Sequence, residues 1–354
     1  MVTIREIALE ASVSISTVSR VLNGHARVNP EMQERVLAVA KRRHYEPNFF
    51  AKGLRSGQAR TIAFIIPDIA NPMFPPMVLG VENMAHSRGY RVVLCNTNED
   101  VQTEKEYIAS LNHGLVDGFI FATALPDSYH IVELHDSGVP VVLVSRIIGE
   151  DQKIDGICID NRRAAYKAVR YLLDQGIREI AMLGGSSRIV SYVHRLEGYR
   201  RALNEAGVPY REELVYTVDS IDPEEAAQNI YKIYKNTPIP EGIFAASDPK
   251  AVGAIHALKK LGYSIPRDVS IISIDDLYFS TLIEPPLTTM KQPFYEMGNQ
   301  AAELLMDGIE KQWHIKEGPC LHFVDVHLKR RMSTRAEEKE GERQSETSFF
   351  CPAL

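Results

Sequence analysis

The side chains with the clearest chemical potential lie in one short segment near the start of the chain, residues 13–23. The segment reads Val13-Ser14-Ile15-Ser16-Thr17-Val18-Ser19-Arg20-Val21-Leu22-Asn23. Wound as a helix, it places small hydroxyls, one Arg and one Asn opposite its valines. Such groups contact the phosphates and base edges of DNA. Because another short helix precedes it, the segment predicts a helix that lies in a DNA major groove.

The charge of the chain is unevenly distributed. Residues 1–60 contain ten Arg and Lys and five Glu, a charge of +5, whereas the remainder contains 30 basic and 41 acidic side chains, a charge of −11. A basic segment on an acidic body indicates one anionic partner bound at one end. A nucleoid-type protein that coats DNA would be basic overall.

Other function classes find little support. The chain has no G-x-S-x-G, P-loop or G-x-G-x-x-G motif, and its 11 His are not spaced for metal binding beside a carboxylate. We therefore expect no catalytic residue, no metal and no cofactor. Four dispersed cysteines form no C-x-x-C pair, which favours reduced thiols in the cytoplasm. The first residues lack the pattern of a secretory signal, and the sequence contains no apolar run of about 18 residues. No membrane segment is therefore predicted.

Local capping patterns predict three helices at the start of the chain. Thr3 and Glu6 form a capping box, Ser14 can cap the second helix, and Asn29-Pro30-Glu31 is a strong third start. Met32, Val36, Leu37 and Ala40 are the expected buried stripe of the third helix. Residues 1–46 are therefore predicted to be an all-α helix-turn-helix domain, followed by a hinge helix or linker over 47–60.

The hydrophobic pattern of the sequence changes at residue 61. Apolar runs alternate with amphipathic stretches up to residue 331, which predicts an α/β core with open parallel sheets. About 270 residues suit two such lobes. Residues 332–354 are polar and charged without an apolar period and are expected to be a disordered tail.

Together these residues resemble the LacI/GalR (lactose-repressor) family of bacterial transcription regulators. The matching patterns of the first 55 residues are Thr3-Ile4-x-x-Ile7-Ala8, the segment 13–23, Tyr45-x-Pro47-Asn48 and Ala51-x-x-Leu54. Those of the core are Ile69-x-Asn71-Pro72-x-Phe74, Val116-Asp117-Gly118, Arg195-x-x-Gly198-Tyr199, Ser247-Asp248, Ile274-Asp275-Asp276 and Pro285-Pro286-Leu287-Thr288-Thr289. The resemblance covers nearly the whole chain apart from the tail.

The resemblance implies a two-lobed core of the type I periplasmic-binding-protein kind, with a ligand in the cleft. Lobe 1 is expected at about 61–160 and 291–319, and lobe 2 at about 161–290 and 320–331. The chain would cross between them near Asp160–Asn161, near Pro286–Gln292 and near Cys320. A homodimer on a near-palindromic operator is also implied.

The family positions that contact bases match Ile15, Ser16 and Arg20. An Arg that grips guanine contributes about 1–3 kcal/mol of discrimination, and an Ile can contact only a thymine methyl. The phosphate-contacting positions match Thr17, Ser19 and Asn23. In the hinge, Ala51 and Leu54 match the residues that enter the minor groove, where Leu54 would act as a wedge. Docking of the apolar hinge residues on a neighbouring domain is the alternative.

The effector positions of the family match Asn71, Met73, Phe74, Ser191, Arg195, Ser247 and Asp275. Asp275 can hold two hydroxyls, Arg195 can donate a fork of hydrogen bonds, and Phe74 can act as an apolar plate. Asp248 and Asp276 lie near the same loop ends, where helix capping and ligand contact are equally open.

One departure from the family bears on the ligand. Ser220 stands where an aromatic residue often stacks on the ligand, and Glu224-Glu225-Ala226 replaces the Glu-Ser-Gly that usually follows. Stacking of a hexose on that side is therefore not expected, and a smaller, more polar or differently posed ligand stays open. The resemblance as a whole implies a repressor of a carbohydrate-utilisation operon that responds to a sugar or sugar derivative. Control by a partner protein or by a purine or nucleoside, and action as an activator, stay open.

Overall fold

A computed structural model describes residues 2–22, 28–45, 58–149, 151–220, 222–311 and 321–335. The chain divides into two units, residues 1–61 with 110–117, and residues 62–109 with 118–354. Most of the hinge predicted over 47–60, including Ala51 and Leu54, lies outside the described residues, as does Asn23.

Three short helices form the first unit. They are α1 (Ile4–Glu10), α2 (Ile15–Leu22) and α3 (Pro30–Arg42). All three expected caps are present: the Thr3–Glu6 capping box, the Ser14 hydroxyl accepting from the Thr17 N–H at 3.1 Å, and the Asn29 side chain accepting from the Glu31 N–H. Local sequence therefore sets where each helix begins.

The apolar core of the first unit differs from the predicted stripe in α3. Val36, Val39 and Ala40 are buried, whereas Met32 and Leu37 are 38% and 47% exposed. The expectation for Met32 and Leu37 was wrong because the face that packs on α1 and α2 centres on Val36 and Val39.

The second unit alternates strands and helices. Its helices are α4 (Phe74–Ser87), α5 (Val101–Leu111), α6 (Tyr129–Asp136), α7 (Asn161–Asp174), α8 (Val190–Glu205), α9 (Pro223–Tyr234), α10 (Asp248–Lys260) and α11 (Phe294–Glu310). Its strands are β1 (Thr61–Ile66), β2 (Arg91–Asn96), β3 (Phe119–Phe121), β4 (Val141–Val144), β5 (Asp155–Ile159), β6 (Ile180–Gly184), β7 (Val215–Thr217), β8 (Gly242–Ala245), β9 (Ser270–Asp275), β10 (Thr288–Lys291), β11 (Leu321–Val324) and β12 (His327–Lys329).

These strands form two six-stranded sheets, one for each lobe. The orders are β11-β5-β4-β3-β1-β2 and β12-β10-β9-β8-β6-β7. The strand pairs are parallel, with β10–β12 antiparallel as an exception. The predicted fold class, a helix-turn-helix segment plus a two-lobed parallel α/β core, is confirmed. Buried strands joined by helices produce it, because both faces of each sheet are covered.

The chain passes between the sheets three times. The first two passages lie between β5 and α7 and between β10 and α11, where they were expected. The third was misplaced: β11 still belongs to the first sheet, so the chain crosses at residues 325–326 rather than near Cys320. Cys320 itself lies outside the described residues.

The predicted disordered tail also begins too early. Ser333 and Thr334 are buried, and the Ser333 hydroxyl donates to the Ile271 carbonyl at 2.7 Å while accepting from the Thr288 N–H. Short polar residues that complete the hydrogen bonding of a sheet edge carry no apolar period. Residues 336–354 lie outside the described part of the chain.

Within the described ranges, no helix combines the length and apolar character needed to cross a bilayer. The same ranges contain no cluster of three or more His, Cys, Asp or Glu side chains arranged to hold a metal ion.

Candidate functional site

A cavity of about 400 Å³ lies between the two lobes of the second unit. All seven side chains predicted to contact an effector line it: Asn71, Met73, Phe74, Ser191, Arg195, Ser247 and Asp275. They lie at the carboxyl ends of β1, β6, β8 and β9, in the last residue of a strand, in the loops that follow, or in the first turns of the next helices, where open α/β sheets bind ligands. The fold thus brings together residues separated by up to about two hundred positions in the sequence.

Two other cavities are larger. One of about 680 Å³ shares Ser145 and Ser191 with the first, and one of about 860 Å³ runs along α9 and α10. Volume alone does not mark a binding site. The smaller cavity is the candidate ligand site because buried polar groups of both signs, Arg195 and Asp275, line it.

The first lobe contributes a turn that leads into α4. The Asn71 side-chain oxygen accepts from the Met73 N–H at 3.2 Å, which fixes the turn. Phe74 is only 2% exposed and belongs to the core of the first lobe. Little of its surface is therefore accessible at the cavity wall.

Arg195 is held rigidly at the wall of the second lobe. Its Nε donates to Asn161 Oδ1 at 2.8 Å, and one terminal nitrogen donates to the Ala246 carbonyl. The side chain is 6% exposed. A guanidinium has five N–H donors, so this anchoring leaves others for a ligand oxygen.

Asp275 also belongs to the second lobe and lies at the end of β9. Its carboxylate accepts from Gln292 Nε2 at 2.7 Å and from the Asp248 N–H at 3.1 Å. Burial and the neighbouring Asp248 carboxylate raise the pKa of Asp275 to about 7, although Arg195 opposes this. Asp275 and Asp276 both have positive φ, +142° and +61°. Such backbone strain concentrates at binding sites.

The two aspartates that sequence left open have structural roles. The buried carboxylate of Asp248 accepts hydrogen bonds from Ser273, Leu277, Ser280 and Thr289. Desolvation raises the pKa of Asp248 despite these bonds. Asp276 forms an ion pair with Arg331 and lies 3.9 Å from Lys291 Nζ. Neither side chain lines the cavity.

Sequence reasoning missed several side chains that line the cavity. Tyr192, Arg146 and Gln292 also face it. Arg146 follows a strand that was predicted, so the rule that ligands bind at strand ends would have found it. Gln292 follows β10, which carries no apolar run and was not predicted. Ser220 does not face the cavity, because its hydroxyl donates to Glu225 at 2.8 Å.

Behind the cavity wall lies a buried lysine, Lys250. Its Nζ donates to the Tyr192 hydroxyl at 3.0 Å and to Ser247 Oγ at 3.4 Å. Burial alone would raise the pKa of the Tyr192 phenol, but the Lys250 and Arg195 charges hold it below its ordinary value.

The first unit presents a separate polar face on α2. Val18 and Val21 are buried, whereas Ile15 is 43% exposed and Ser16 and Arg20 are exposed on the opposite side. Thr17 and Ser19 are half-buried beside them. This division leaves the three predicted base-contacting side chains free of the helical core.

Comparison with known proteins matches both parts of the chain. Residues 3–48 match the family described as bacterial regulatory proteins, lacI family. Residues 59–325 match the family described as periplasmic binding proteins and sugar binding domain of LacI family.

Individual relatives match over most of their length. Catabolite control protein A of Priestia megaterium is 35% identical over 316 residues, which cover 88% of this chain and 93% of that protein. A complex of the transcriptional regulator CelR with cellobiose has a TM-score of 0.71 at 30% identity, covering 94% of this chain and 100% of that one. The lac repressor dimer bound to operator and the anti-inducer ONPF has a TM-score of 0.84 at 25% identity, covering 95% and 99%.

These relatives are transcription regulators rather than enzymes. The exposed polar face of α2 and the cavity between the lobes are the two features that such a regulator requires. The chain therefore belongs to the LacI family and is a DNA-binding transcription regulator.

Proposed function

We propose that this chain is a homodimeric repressor of a carbohydrate-utilisation operon. It binds a near-palindromic operator, and a sugar or sugar derivative in the cleft between the lobes changes its affinity for that operator. The observation that carries the proposal is the convergence of Asp275 and Arg195, both from the second lobe, on one ligand-sized cavity that first-lobe residues also line. A pair of acceptors and a fork of donors suit vicinal hydroxyls.

In this proposal α2 enters the major groove. Ile15, Ser16 and Arg20 contact base edges, whereas Thr17, Ser19 and Asn23 contact phosphates and fix the register. Ala51 and Leu54 enter the minor groove at the operator centre. The lac repressor was solved as a dimer on its operator, which supports the same assembly here. Because its partner is the chromosome, the protein acts in the bacterial cytoplasm.

The ligand and the operator are coupled through the core. The ligand biases the lobes toward one arrangement, and by linkage it changes operator affinity by the same factor as the operator changes ligand affinity, typically about 1–3 kcal/mol. The relative solved with cellobiose supports a carbohydrate as the ligand class.

The first experiment is selection of operator sites from random DNA with the full-length chain. We expect a two-fold symmetric consensus. The Arg20→Ala variant should lose one base preference in each half-site, while an exposed Lys105→Met variant should keep the consensus. Random or unsymmetric recovered sequences would refute the proposal.

The second experiment is a thermal-shift screen of the full-length chain with sugars, sugar acids, sugar phosphates, nucleosides and purines. A ligand at a hundredfold its dissociation constant stabilises the chain by about 2.7 kcal/mol. The same ligand must then change operator affinity. A nucleoside or purine that stabilises the chain and changes its operator affinity would replace the carbohydrate assignment.

A further inference from the structure

Lys250 is an unusual residue for the place that it occupies. Its side chain is 0% exposed in the first turn of α10. Its Nζ contacts the Tyr192 hydroxyl and Ser247 Oγ, and it lies 4.7 Å from the centre of the Tyr192 ring. Within the described chain, no carboxylate forms an ion pair with it. A buried ammonium without a paired anion is costly, so a compensating negative charge is expected nearby.

Tyr192 connects this buried charge to the cavity. Its hydroxyl oxygen accepts the hydrogen bond from Lys250, which leaves its own O–H to donate toward the cavity that the residue lines. Gly185 packs closely against the ring, because a Cβ added at Gly185 would lie 2.5 Å from a ring carbon. A phenol that accepts from an ammonium is a strengthened donor, because each hydrogen bond polarises the next.

The charges around Tyr192 do not balance. Arg195 lies 5.8 Å from the centre of its ring, so two cations, Lys250 and Arg195, act on Tyr192. Asp275 is the acid whose charge acts on it, and the nearby Asp248 carboxylate is already enclosed by four hydrogen bonds. Three other carboxylates line the cavity, those of Asp68, Glu99 and Asp219, and Glu99 is paired with Arg146. Burial and the Asp248 carboxylate raise the pKa of Asp275 to about 7, so Asp275 offsets only part of these two positive charges near neutral pH.

We propose that the effector is acidic: a sugar acid or a sugar phosphate whose anionic group accepts from the Tyr192 hydroxyl, between Arg195 and the buried charge of Lys250. This inference rests on the proposed function, since it names the ligand class of the same cavity. Lys250 does not touch the ligand and acts as a specificity residue through Tyr192. The hydroxyls of the ligand are left for Asp275.

The test compares neutral and acidic members of four pairs that share a carbon skeleton. The probes are D-glucose with D-glucuronate, D-galactose with D-galacturonate, D-ribose with D-ribose 5-phosphate, and D-fructose with D-fructose 6-phosphate. Thermal shift and calorimetry are measured on the full-length chain at millimolar concentration. We expect an acidic member to bind and its neutral partner to bind about tenfold or more weakly. Binding of a uronate would identify a carboxylate as the anionic group of the effector, and binding of a sugar phosphate would identify a phosphate.

Lys250→Met keeps the length of the side chain and removes its charge. We expect this variant to lose about tenfold or more in affinity for the acid and little for the neutral sugar. Without ligand its melting temperature should equal or exceed that of the wild type, since replacing a buried charge by an apolar group of similar shape is neutral or stabilising. Lys105→Met, which removes an exposed charge on α5, should leave acid binding unchanged.

Three outcomes would overturn the inference: neutral members that bind as tightly as their acids, Lys250→Met that keeps full affinity for the acid, or no binding by any probe. Marked destabilisation of ligand-free Lys250→Met would also contradict it, by assigning the lysine to folding alone. Operator selection with the same preparation separates this failure from that of the proposed function. A chain that selects a symmetric operator but binds no acid refutes only the ligand class.

Discussion

Replacement of Asp275 by Asn tests the electrostatics of the cleft in a way that needs no ligand. In the folded chain, burial and the Asp248 carboxylate raise the pKa of Asp275 from 3.8 to about 7. The side chain is 5% exposed, so solvent screens it little. The unfolded chain leaves the same carboxyl in water with its ordinary pKa. Ionisation of Asp275 therefore destabilises the folded state relative to the unfolded state.

The number of protons bound by the folded and unfolded chains decides whether stability rises or falls with pH. Between pH 4 and pH 7 the folded chain binds more protons than the unfolded chain, so the contribution of Asp275 to the free energy of unfolding falls as pH rises and levels off above pH 7. Each pH unit in this window costs about 1.4 kcal/mol, so the span from pH 5 to pH 7 costs about 3 kcal/mol. Asn does not titrate, so the free energy of unfolding of the variant does not fall for this reason.

The assay is urea unfolding of wild type and Asp275→Asn at pH 5, 6, 7 and 8. Asn can accept only part of the hydrogen bonding from Gln292 and the Asp248 N–H, which costs about 1 kcal/mol at every pH. The pH dependence is therefore the decisive quantity. Relative to wild type, the variant should gain about 3 kcal/mol between pH 5 and pH 8.

The matched control is Asp219→Asn, an exposed carboxylate that also lines the cavity. Its stability difference from wild type should stay constant over the same range. A constant difference for Asp275→Asn, or a gain that grows toward low pH, would refute the electrostatic reasoning.

Three further changes probe the cavity wall and the DNA-binding unit. Gly185→Ala should displace the Tyr192 ring, since an added Cβ would lie 2.5 Å from it, and weaken any cleft ligand about tenfold by calorimetry; unchanged affinity would contradict this. Ser14→Ala removes the acceptor of the Thr17 N–H and should destabilise the first unit by about 1 kcal/mol in thermal unfolding; an unchanged midpoint would assign the cap to water. Arg20→Ala should lower discrimination between operator and a single-base variant by about 1–3 kcal/mol in competition binding, with non-specific affinity changed much less; equal losses for both would make it a phosphate contact.

The beginnings of the helices could be predicted because capping is local. Thr3, Ser14 and Asn29 each accept from a backbone N–H two or three residues onward, so the sequence near the cap contains both partners. The long apolar strands were predictable for a related reason, since a strand buried on both faces must be apolar throughout. Neither inference depends on distant parts of the chain.

Strand β10, which lies between β12 and β9 in the second sheet, could not be predicted from the sequence. Strand β10 reads Thr288-Thr289-Met290-Lys291, and the threonines are buried because Asp248, Ser333 and Thr334 hydrogen-bond to them. Polar residues that are buried in this way look like a loop in the sequence. Only the packing of distant segments reveals their partners, which also explains why the tail was expected to begin at residue 332.

The candidate site could also be predicted only in part from the sequence. The predicted effector residues came from family positions and lie together around one cavity. Lys250 looked like an ordinary helical lysine, because a single charged residue in an amphipathic helix usually faces solvent. Its burial depends on Tyr192, more than fifty residues away, and on Ser247. A charge whose environment is built from two helices distant in sequence cannot be recognised from the local sequence pattern.

Asp275 joins the ligand cavity to the chain that connects the lobes. Gln292 donates to its carboxylate through the side chain and to its carbonyl through the backbone N–H, at 2.7 and 3.0 Å. Gln292 lies between β10 in the second sheet and α11, which packs on β4 in the first. A ligand hydroxyl that donates to Asp275 therefore competes with a side chain of the crossing segment itself. Because a ligand shifts an equilibrium only through contacts that differ between the two states, we expect this shared carboxylate to couple the proposed ligand to the segment that joins the two lobes.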